Sequence, residues 1–278
     1  VFGLAVDWIH SLLYWTDSGR KTIEVCSVFD PNNTRAVLIT EIYRPKAITI
    51  NVVDSFIVWT NWEPQPKIEI AAQDGTNRKI IVEKRLKSPY GITVDTKEKR
   101  IYWVDGGLST IYACDFDGKH RAIIFYSPDH LKDAFFIDVF DKTFYWSTAS
   151  LGTLFSGYKI SEMKYHVKEI VFNSKIIMDF KIVHKSKQPL SHNRCNVTKC
   201  SHLCLPHNKT CYVCICPVTY DSTSCLYNVT EKIPTSKRYS FFKRSKVMKS
   251  IISKPICSDT FEMKDPHLEE DYLKTIDI

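Results

Sequence analysis

The first two thirds of the chain contain short stretches in which apolar and polar residues alternate, and these stretches come in groups of four. An alternation of period two is typical of β-strands that bury one face. In the third group the stretches are 91–95, 102–105, 111–113 and 122–125. Asp117-Gly118 separates the last two, and Asp-Gly between apolar stretches favours a hairpin. The pattern predicts four antiparallel strands per group and no helix.

An aromatic element in the second stretch of each group sets the repeat. Leu13-Tyr14-Trp15-Thr16-Asp17 is followed after 44 residues by Val58-Trp59-Thr60-Asn61, after another 44 by Tyr102-Trp103-Val104-Asp105, and after another 43 by Tyr145-Trp146-Ser147-Thr148. A fixed period of this length, with four short strands per unit, indicates the blades of a β-propeller. A buried Tyr or Trp hides about 150–250 Å², so we interpret the repeated aromatic residues as packing and expect function in the loops.

The four units resemble the class B (YWTD) repeats of the low-density lipoprotein receptor family. The second unit is especially similar, through the segments 59–69 and 74–78. The resemblance implies an all-β fold in which residues 1–188 form a YWTD β-propeller with four of six blades present, about 44 residues each. Because residues 1–7 show no initiator Met and no leader pattern, we expect the chain to be part of a longer protein. The expected blades and closing strand are 3–44, 45–88, 89–132, 133–176 and 177–184.

Seven cysteines lie between residues 195 and 225, and the six other than Cys211 form a module too dense for a hydrophobic core to explain, so the segment needs disulfides for stability. Their spacing alone leaves fifteen connectivities open. The segment resembles the EGF-like module that follows YWTD propellers, and this resemblance implies the pairs Cys195–Cys204, Cys200–Cys214 and Cys216–Cys225. His192-Asn193-Arg194 stands where calcium-binding modules have an acidic entry, so we predict no calcium, no other metal and no cofactor.

The remaining cysteines and the glycosylation sequons bear on the compartment. Cys26 and Cys114 take the same position two units apart and cannot meet, so we expect free, buried thiols. Cys211 and Cys257 have no partner assigned by the pattern. Four Asn-x-Ser/Thr sequons are typical of an extracellular or lumenal glycoprotein. They begin at Asn32, Asn196, Asn208 and Asn228.

The net charge of +7 is spread unevenly: residues 1–235 have a net charge of +5, and the end of the chain divides into a basic and an acidic segment. Residues 236–254 contain seven basic and no acidic side chains, and 255–278 contain seven acidic and two basic ones. The rest of the chain is only mildly basic, which argues against a nucleic-acid surface. No apolar run of 18 residues occurs, and no catalytic motif is present, so we predict neither a transmembrane helix in this chain nor an enzyme. Residues 226–278 are expected to be an irregular linker or the start of a further propeller.

We expect ligand binding on one rim of the propeller, in the loops after the aromatic strand and between consecutive units. Trp62 is the strongest candidate, because an aromatic side chain in a Pro-rich loop can anchor a partner; packing on its own blade is the alternative. The resemblance also implies acid-dependent ligand release through histidines, but the corresponding positions are Ser109 and Asp133 here, with His130 nearby. The candidates are Arg20, Lys21, Trp62, Glu63, Asp105, His130 and Asp133.

The resemblance implies an extracellular, ligand-binding fragment of a low-density lipoprotein receptor-related protein. It would act in receptor-mediated endocytosis or in co-receptor signalling, for which Wnt-type signalling is one candidate. The expected partners are protein ligands such as a lipoprotein, a yolk protein or a secreted signalling protein. The membrane anchor would lie in the full-length parent, at the plasma membrane or endosome. The alternative is a secreted structural adhesion protein of the basement-membrane type.

Overall fold

The computed structural model describes residues 1–149, 152–161, 164–171, 177, 179–196, 200–218 and 256–257. Sixteen strands of this part form four antiparallel sheets, each with four strands in chain order. Sheet 1 comprises β1 (Leu4–Asp7), β2 (Leu12–Asp17), β3 (Thr22–Ser27) and β4 (Ala36–Ile39). Sheet 2 comprises β5 (Pro45–Asn51), β6 (Phe56–Asn61), β7 (Lys67–Ala72) and β8 (Lys79–Val82).

The other two sheets repeat this arrangement. Sheet 3 comprises β9 (Pro89–Asp95), β10 (Arg100–Asp105), β11 (Thr110–Asp115) and β12 (Ala122–Tyr126). Sheet 4 comprises β13 (Ala134–Phe140), β14 (Thr143–Thr148), β15 (Thr153–Ser161) and β16 (Lys164–Val171). One short helix, α1 (Pro128–Leu131), lies between sheets 3 and 4, because the Ser127 side chain accepts a hydrogen bond from the His130 N–H and Pro128 begins the first turn. The predicted all-β fold class is confirmed, and a count of six blades stays a prediction.

The repeated tryptophans pack between the sheets. Trp59, Trp103 and Trp146 have no exposed surface, and Trp146 stacks on Phe155 with 5.6 Å between ring centroids. Trp15, in the first sheet, is half-buried. Cys26 and Cys114 are buried free thiols at equivalent positions of β3 and β11. The aromatic element of the repeat therefore contributes to the core.

The threonine of the aromatic element joins consecutive sheets. The Thr16 hydroxyl donates to the Lys46 carbonyl oxygen at 2.6 Å, and the Thr60 hydroxyl donates to the Tyr90 carbonyl oxygen at 3.0 Å. We call this contact the inter-sheet hydroxyl bond. The third unit has Val104 at this position and so lacks the hydroxyl. Ser147, at the same position of the fourth unit, has a buried hydroxyl without an acceptor among the described residues.

Glycine lets neighbouring sheets approach closely at this level. A Cβ on Gly91 would lie 2.7 Å from the Phe135 carbonyl oxygen and 2.8 Å from the Phe136 Cα. Real Cβ atoms do not come so close to backbone, so any side chain here would push the third and fourth sheets apart.

The loops divide into two sets at opposite ends of the strands. We call one end the upper rim; it comprises the loops after the second strand of each sheet and the loops between sheets. We call the other end the lower rim; it comprises the turns between the first two and the last two strands of each sheet. The predicted closing strand, of which residues 177 and 179–184 are described, pairs with no sheet there. The Ile182 N–H donates instead to the Asp138 carboxylate of β13.

The disulfide-rich segment forms a hairpin of β17 (Leu203–Pro206) and β18 (Cys211–Ile215). Disulfides join Cys195 to Cys204 and Cys200 to Cys214, the first two pairs that the resemblance implies. Cys225, in the third pair, lies outside the described residues, as does nearly all of the tail at 226–278. Cys211 is disulfide-bonded, and β19 (Ile256–Cys257) pairs with β18 so that residues 211 and 257 are opposite in register.

This module packs on the lower rim of the first two sheets. Its side chains Leu203, Leu205, Val213 and Ile215 belong to the same buried cluster as Tyr14 and Ile57. Arg194, which is only 4% exposed, donates to the Val53 carbonyl oxygen at 3.0 Å and to that of Val52 at 3.4 Å. The propeller and the module therefore share one continuous core.

Two histidine–aspartate pairs border this junction. His10 Nδ1 lies 2.7 Å from the buried Asp7 carboxylate, and its Nε2 accepts a hydrogen bond from the Arg194 backbone N–H at 3.3 Å. His207 of the module lies 2.6 Å from the buried Asp74 carboxylate. Polar contacts therefore join the module to the sheets in addition to the shared apolar cluster.

Candidate ligand-binding surface

A cluster of aromatic side chains surrounds one lysine at the upper rim. The aromatic cluster consists of Phe2, Trp62, Tyr90 and Phe135, and each of the four sheets contributes one of them or the loop beside it. The centroids of consecutive rings are 5.6 Å apart for Trp62–Tyr90, 4.6 Å for Tyr90–Phe135 and 6.3 Å for Phe135–Phe2. The Lys46 Nζ lies 3.3 Å from the centroid of Phe2, 4.9 Å from that of Trp62 and 6.0 Å from that of Tyr90.

Lys46 is buried without a counter-ion. The residue is only 9% exposed, and no described side chain or carbonyl group forms a hydrogen bond or ion pair with its Nζ. Burial, assisted by the nearby Arg44 and opposed by Glu63, lowers the pKa of the ammonium to about 8. The aromatic faces provide cation–π attraction, but they do not accept the three N–H bonds of an ammonium group.

The repeat motif itself positions these residues. The inter-sheet hydroxyl bonds hold the backbone of Lys46 through Thr16 and that of Tyr90 through Thr60. The close approach at Gly91 brings Phe135 beside Tyr90. The aromatic element therefore supports the site through the backbone, although its own tryptophans face the core.

Trp62 and Glu63, both predicted from the sequence, lie at this site. The Arg44 guanidinium is 5.7 Å from the Trp62 ring centroid and forms an ion pair with the Glu63 carboxylate. Trp62 is half-buried. Part of its side chain therefore packs on the protein, and the rest is accessible to a partner.

Arg20 and Lys21 lie on the same rim, in the loop after β2. The Arg20 side chain is 59% exposed, and its guanidinium is 3.8 Å from the Glu24 carboxylate. The Lys21 Nζ lies 5.2 Å from the ring centroid of Tyr43, a residue that is 57% exposed. Both cations are accessible to a partner on the upper rim.

Asp105 has a different environment. It has no exposed surface, and its carboxylate accepts the backbone N–H groups of Lys87 and Ser88 at 2.8 Å and of Leu108 at 3.1 Å. These bonds connect the loop before sheet 3 to the loop after β10. Asp105 therefore stabilises the loops of the upper rim, and neither of its carboxylate oxygens faces solvent.

His130 and Asp133 lie together between sheets 3 and 4. The His130 Nδ1 is 2.9 Å from the Ser127 hydroxyl, and its carbonyl oxygen accepts the Trp146 indole N–H at 2.7 Å. Asp133 is exposed and has φ +57°, in the left-handed region. Ser109 has φ +51°, and its carbonyl oxygen accepts the Ser127 N–H at 3.1 Å. No hydrogen bond or ring contact in the described residues joins this group to the aromatic cluster.

Phe2, Lys46, Tyr90 and Phe135 did not come from the sequence argument. A usable signal was present: residues 2, 46 and 90 are spaced by the repeat period, with Phe2 just before the first strand of its unit and Lys46 and Tyr90 at the second position of theirs. When large aromatic or charged residues recur at one position of a repeat, they indicate a surface that the units share.

Three sequon asparagines lie on the surface. Asn32, Asn196 and Asn208 are exposed, and Asn228 lies outside the described residues. The Asn208 side-chain oxygen accepts the N–H groups of Thr210 and Cys211 at 2.9 and 2.8 Å. Within the described residues, no group of His, Cys, Asp or Glu side chains has the geometry of a metal site, and no helix is long and apolar enough to cross a membrane.

Comparisons with known proteins agree with this architecture. Residues 55–96 match the low-density lipoprotein receptor repeat class B. The chain is 30% identical over 202 residues to the vitellogenin receptor Yl of Drosophila melanogaster, covering 73% of this chain and 10% of that receptor. It is 27% identical over 216 residues to the vitellogenin receptor of Solenopsis invicta, covering 78% of this chain and 12% of that receptor.

Among solved structures, a chain in the crystal structure of a nidogen/laminin complex superimposes with a TM-score of 0.53 at 28% identity, covering 59% of this chain and 62% of that one. The chain spans about a tenth of the length of the curated receptors that it matches. The resemblance found in the sequence is thereby confirmed: the chain contains a low-density lipoprotein receptor class B repeat and is similar to two vitellogenin receptors.

Proposed function

We propose that the chain is an extracellular, ligand-binding part of a lipoprotein-receptor-type protein, and that protein ligands bind its upper rim. The observation that carries the proposal is the placement of the disulfide module. The module packs on the lower rim of the first two sheets through Arg194 and four aliphatic side chains. The aromatic cluster lies at the opposite end of the strands, where no described segment covers it.

The composition of the upper rim suits a protein partner. Trp, Tyr and Arg are the residues that most often dominate binding energy at protein interfaces. Here Trp62 contacts both Tyr90 and Arg44, and Arg20 and Lys21 are exposed on the same rim. Two disulfides in the module favour an oxidising compartment, which supports an extracellular location.

The relatives suggest the ligand class. Both curated relatives are named vitellogenin receptors. We therefore propose a yolk protein of the vitellogenin type as the ligand and receptor-mediated uptake as the process. A Wnt-type signalling role remains a prediction that no particular residue of the rim favours.

The test is direct binding. The 278-residue chain, secreted from eukaryotic cells so that its disulfides form, is immobilised, and vitellogenin from the same species is passed over it by surface plasmon resonance. We expect saturable binding that Trp62→Ala weakens about tenfold or more. The matched control is Phe29→Ala, which removes an aromatic side chain that is 84% exposed on the lower rim. Absence of binding by the wild-type chain, or equal loss in both variants, would contradict the proposal.

Similarity to a chain of the nidogen/laminin complex favours one alternative, a secreted adhesion protein of the basement-membrane type. Laminin passed over the same surface separates the two. Binding of laminin without binding of vitellogenin would support the adhesion role and reject the receptor role.

A further inference from the structure

We infer that the aromatic cluster around Lys46 is an anchor for a single carboxylate that a protein partner presents between apolar side chains. This inference deepens the proposed function, because it names the chemistry that the upper rim recognises. The group recognised would be an Asp or Glu side chain, flanked by aliphatic residues that contact Phe2, Trp62 and Phe135.

The unpaired state of Lys46 is the first support. Buried charges in proteins are normally paired or hydrogen-bonded, because desolvation is otherwise uncompensated. Lys46 is nine-tenths buried, and its ammonium contacts only aromatic faces within the described residues. A carboxylate would supply both the negative charge and the hydrogen-bond acceptors that the ammonium lacks.

The neighbouring charges make the site selective for one carboxylate. Arg44, the nearest other cation, is already paired with Glu63. Glu63 would repel a second negative group close to the first. A run of acidic residues should therefore bind less well at this site than an isolated one with apolar neighbours.

The backbone preorganises the anchor. Thr16 fixes the carbonyl group of Lys46 at 2.6 Å, and Thr60 fixes that of Tyr90 at 3.0 Å. A lysine held on a strand between aromatic side chains loses little further freedom when a partner binds, which favours affinity. The aromatic rings surround the Lys46 ammonium as they do in cation-binding sites, and the proposed carboxylate would be its counter-ion.

The experiment compares two peptides that differ only in one side chain, which ends in a carboxylate in one peptide and in a carboxamide in the other. Acetyl-Val-Leu-Asp-Leu-Val-amide and its Asn counterpart are each added to the full chain, and lysine labelling by reductive methylation is followed by mass spectrometry at pH 7.5. We expect the Asp peptide to protect Lys46 at a concentration about tenfold lower than the Asn peptide. Lys99, exposed in a lower-rim turn, serves as the unprotected control.

A variant completes the test. In Lys46→Met the two peptides should bind equally, as measured by NMR shifts of the Trp62 indole N–H. The folded state of this variant is checked by its melting temperature, which we expect to be no lower than that of the wild type. Equal protection by both peptides in the wild type, or a preference for Asp that survives Lys46→Met, would overturn the inference.

The outcomes also separate the anchor from the proposed function. Vitellogenin binding without any Asp preference would leave the receptor role standing and reject the carboxylate anchor. An Asp preference in a chain that does not bind vitellogenin would support the anchor and reject the yolk-protein ligand.

Discussion

The Thr16 hydroxyl donates to the Lys46 carbonyl oxygen across 2.6 Å, so the repeated aromatic element of one sheet fixes the backbone of the proposed anchor lysine in the next. The same relationship joins Thr60 to Tyr90. The motif that identifies the repeat thus reaches the upper rim through main-chain contacts. Loss of the threonine should affect the fold and the site together.

Thr60→Val tests this contact. The substitution keeps the volume but removes the donor, leaving the Tyr90 carbonyl oxygen unpaired, and we expect a loss of about 1–2 kcal/mol in the free energy of unfolding. Urea denaturation followed by tryptophan fluorescence gives the measurement. Thr60→Ser keeps the hydroxyl and is the control. A Val variant as stable as the Ser variant would show that the hydrogen bond contributes nothing to stability.

Lys46→Met should stabilise the chain in a pH-dependent manner. Burial holds the pKa of Lys46 at about 8, below its ordinary 10.5. Between those values the unfolded chain binds more protons than the folded one, so the stability of the wild type rises with pH across this window. The charges that face Lys46 are Arg44 and Glu63, and burial raises the pKa of Tyr90, which keeps that phenol neutral.

Below pH 8 the variant should therefore exceed the wild type by about 1–2 kcal/mol, after allowance for solvent screening. The difference should shrink as pH rises from 8 to 10.5. Melting temperatures of both proteins at half-unit steps provide the measurement. A difference that is constant over this window would show that Lys46 titrates normally.

Asp105→Ala should loosen the upper rim without removing a ligand contact. The carboxylate accepts three backbone N–H groups, so its loss should cost about 2–3 kcal/mol. Amide hydrogen exchange should accelerate at residues 87, 88 and 108. If exchange there is unchanged while ligand binding is lost, Asp105 contacts the partner directly, as the sequence first suggested.

Arg194→Met should weaken the junction between the module and the propeller. The guanidinium donates to the carbonyl oxygens of Val52, Val53 and Lys209, and removing it leaves three acceptors unpaired at a cost of about 2–4 kcal/mol. Limited proteolysis should cut near residues 185–194 faster than in the wild type. The upper rim lies at the other end, so peptide protection of Lys46 should not change. Slower or equal cleavage would argue against this role for Arg194.

The sequence was sufficient to predict the sheets because the repeat period and strand pattern are local. Trp59, Trp103 and Trp146 recur at fixed spacing, and burial of each ring determines which face of its strand points inward. The two described disulfides agree with the pairs implied by the family resemblance. Trp62 and Glu63 could be named as candidates from the sequence because an aromatic residue in a Pro-rich loop is a local pattern, and their role in ligand binding stays a prediction.

The aromatic cluster was not predicted, because it assembles from residues of four different units. Lys46 looks like an ordinary strand lysine in sequence, and it is removed from water by Phe2, which precedes the first sheet, and by Trp62, which lies in a loop of its own unit. Asp105 shows the opposite case: an acidic residue beside a loop suggested a binding role, but the three N–H donors that surround it come from two loops. The docking position of the module likewise depends on His10 and Arg194, which are 184 residues apart.

The inter-sheet hydroxyl bond has a direction along the row of sheets. Each threonine donates to a carbonyl group of the following sheet. One side of a sheet therefore provides the donor and the other side provides the acceptor, so the contact joins two different surfaces. Ser147 presents the donor of the fourth sheet, buried and without an acceptor among the described residues. In sheets 2 and 3 the corresponding acceptor is a strand carbonyl group, that of Lys46 or Tyr90. The fourth sheet therefore repeats the donor side of this contact without its acceptor among the described residues.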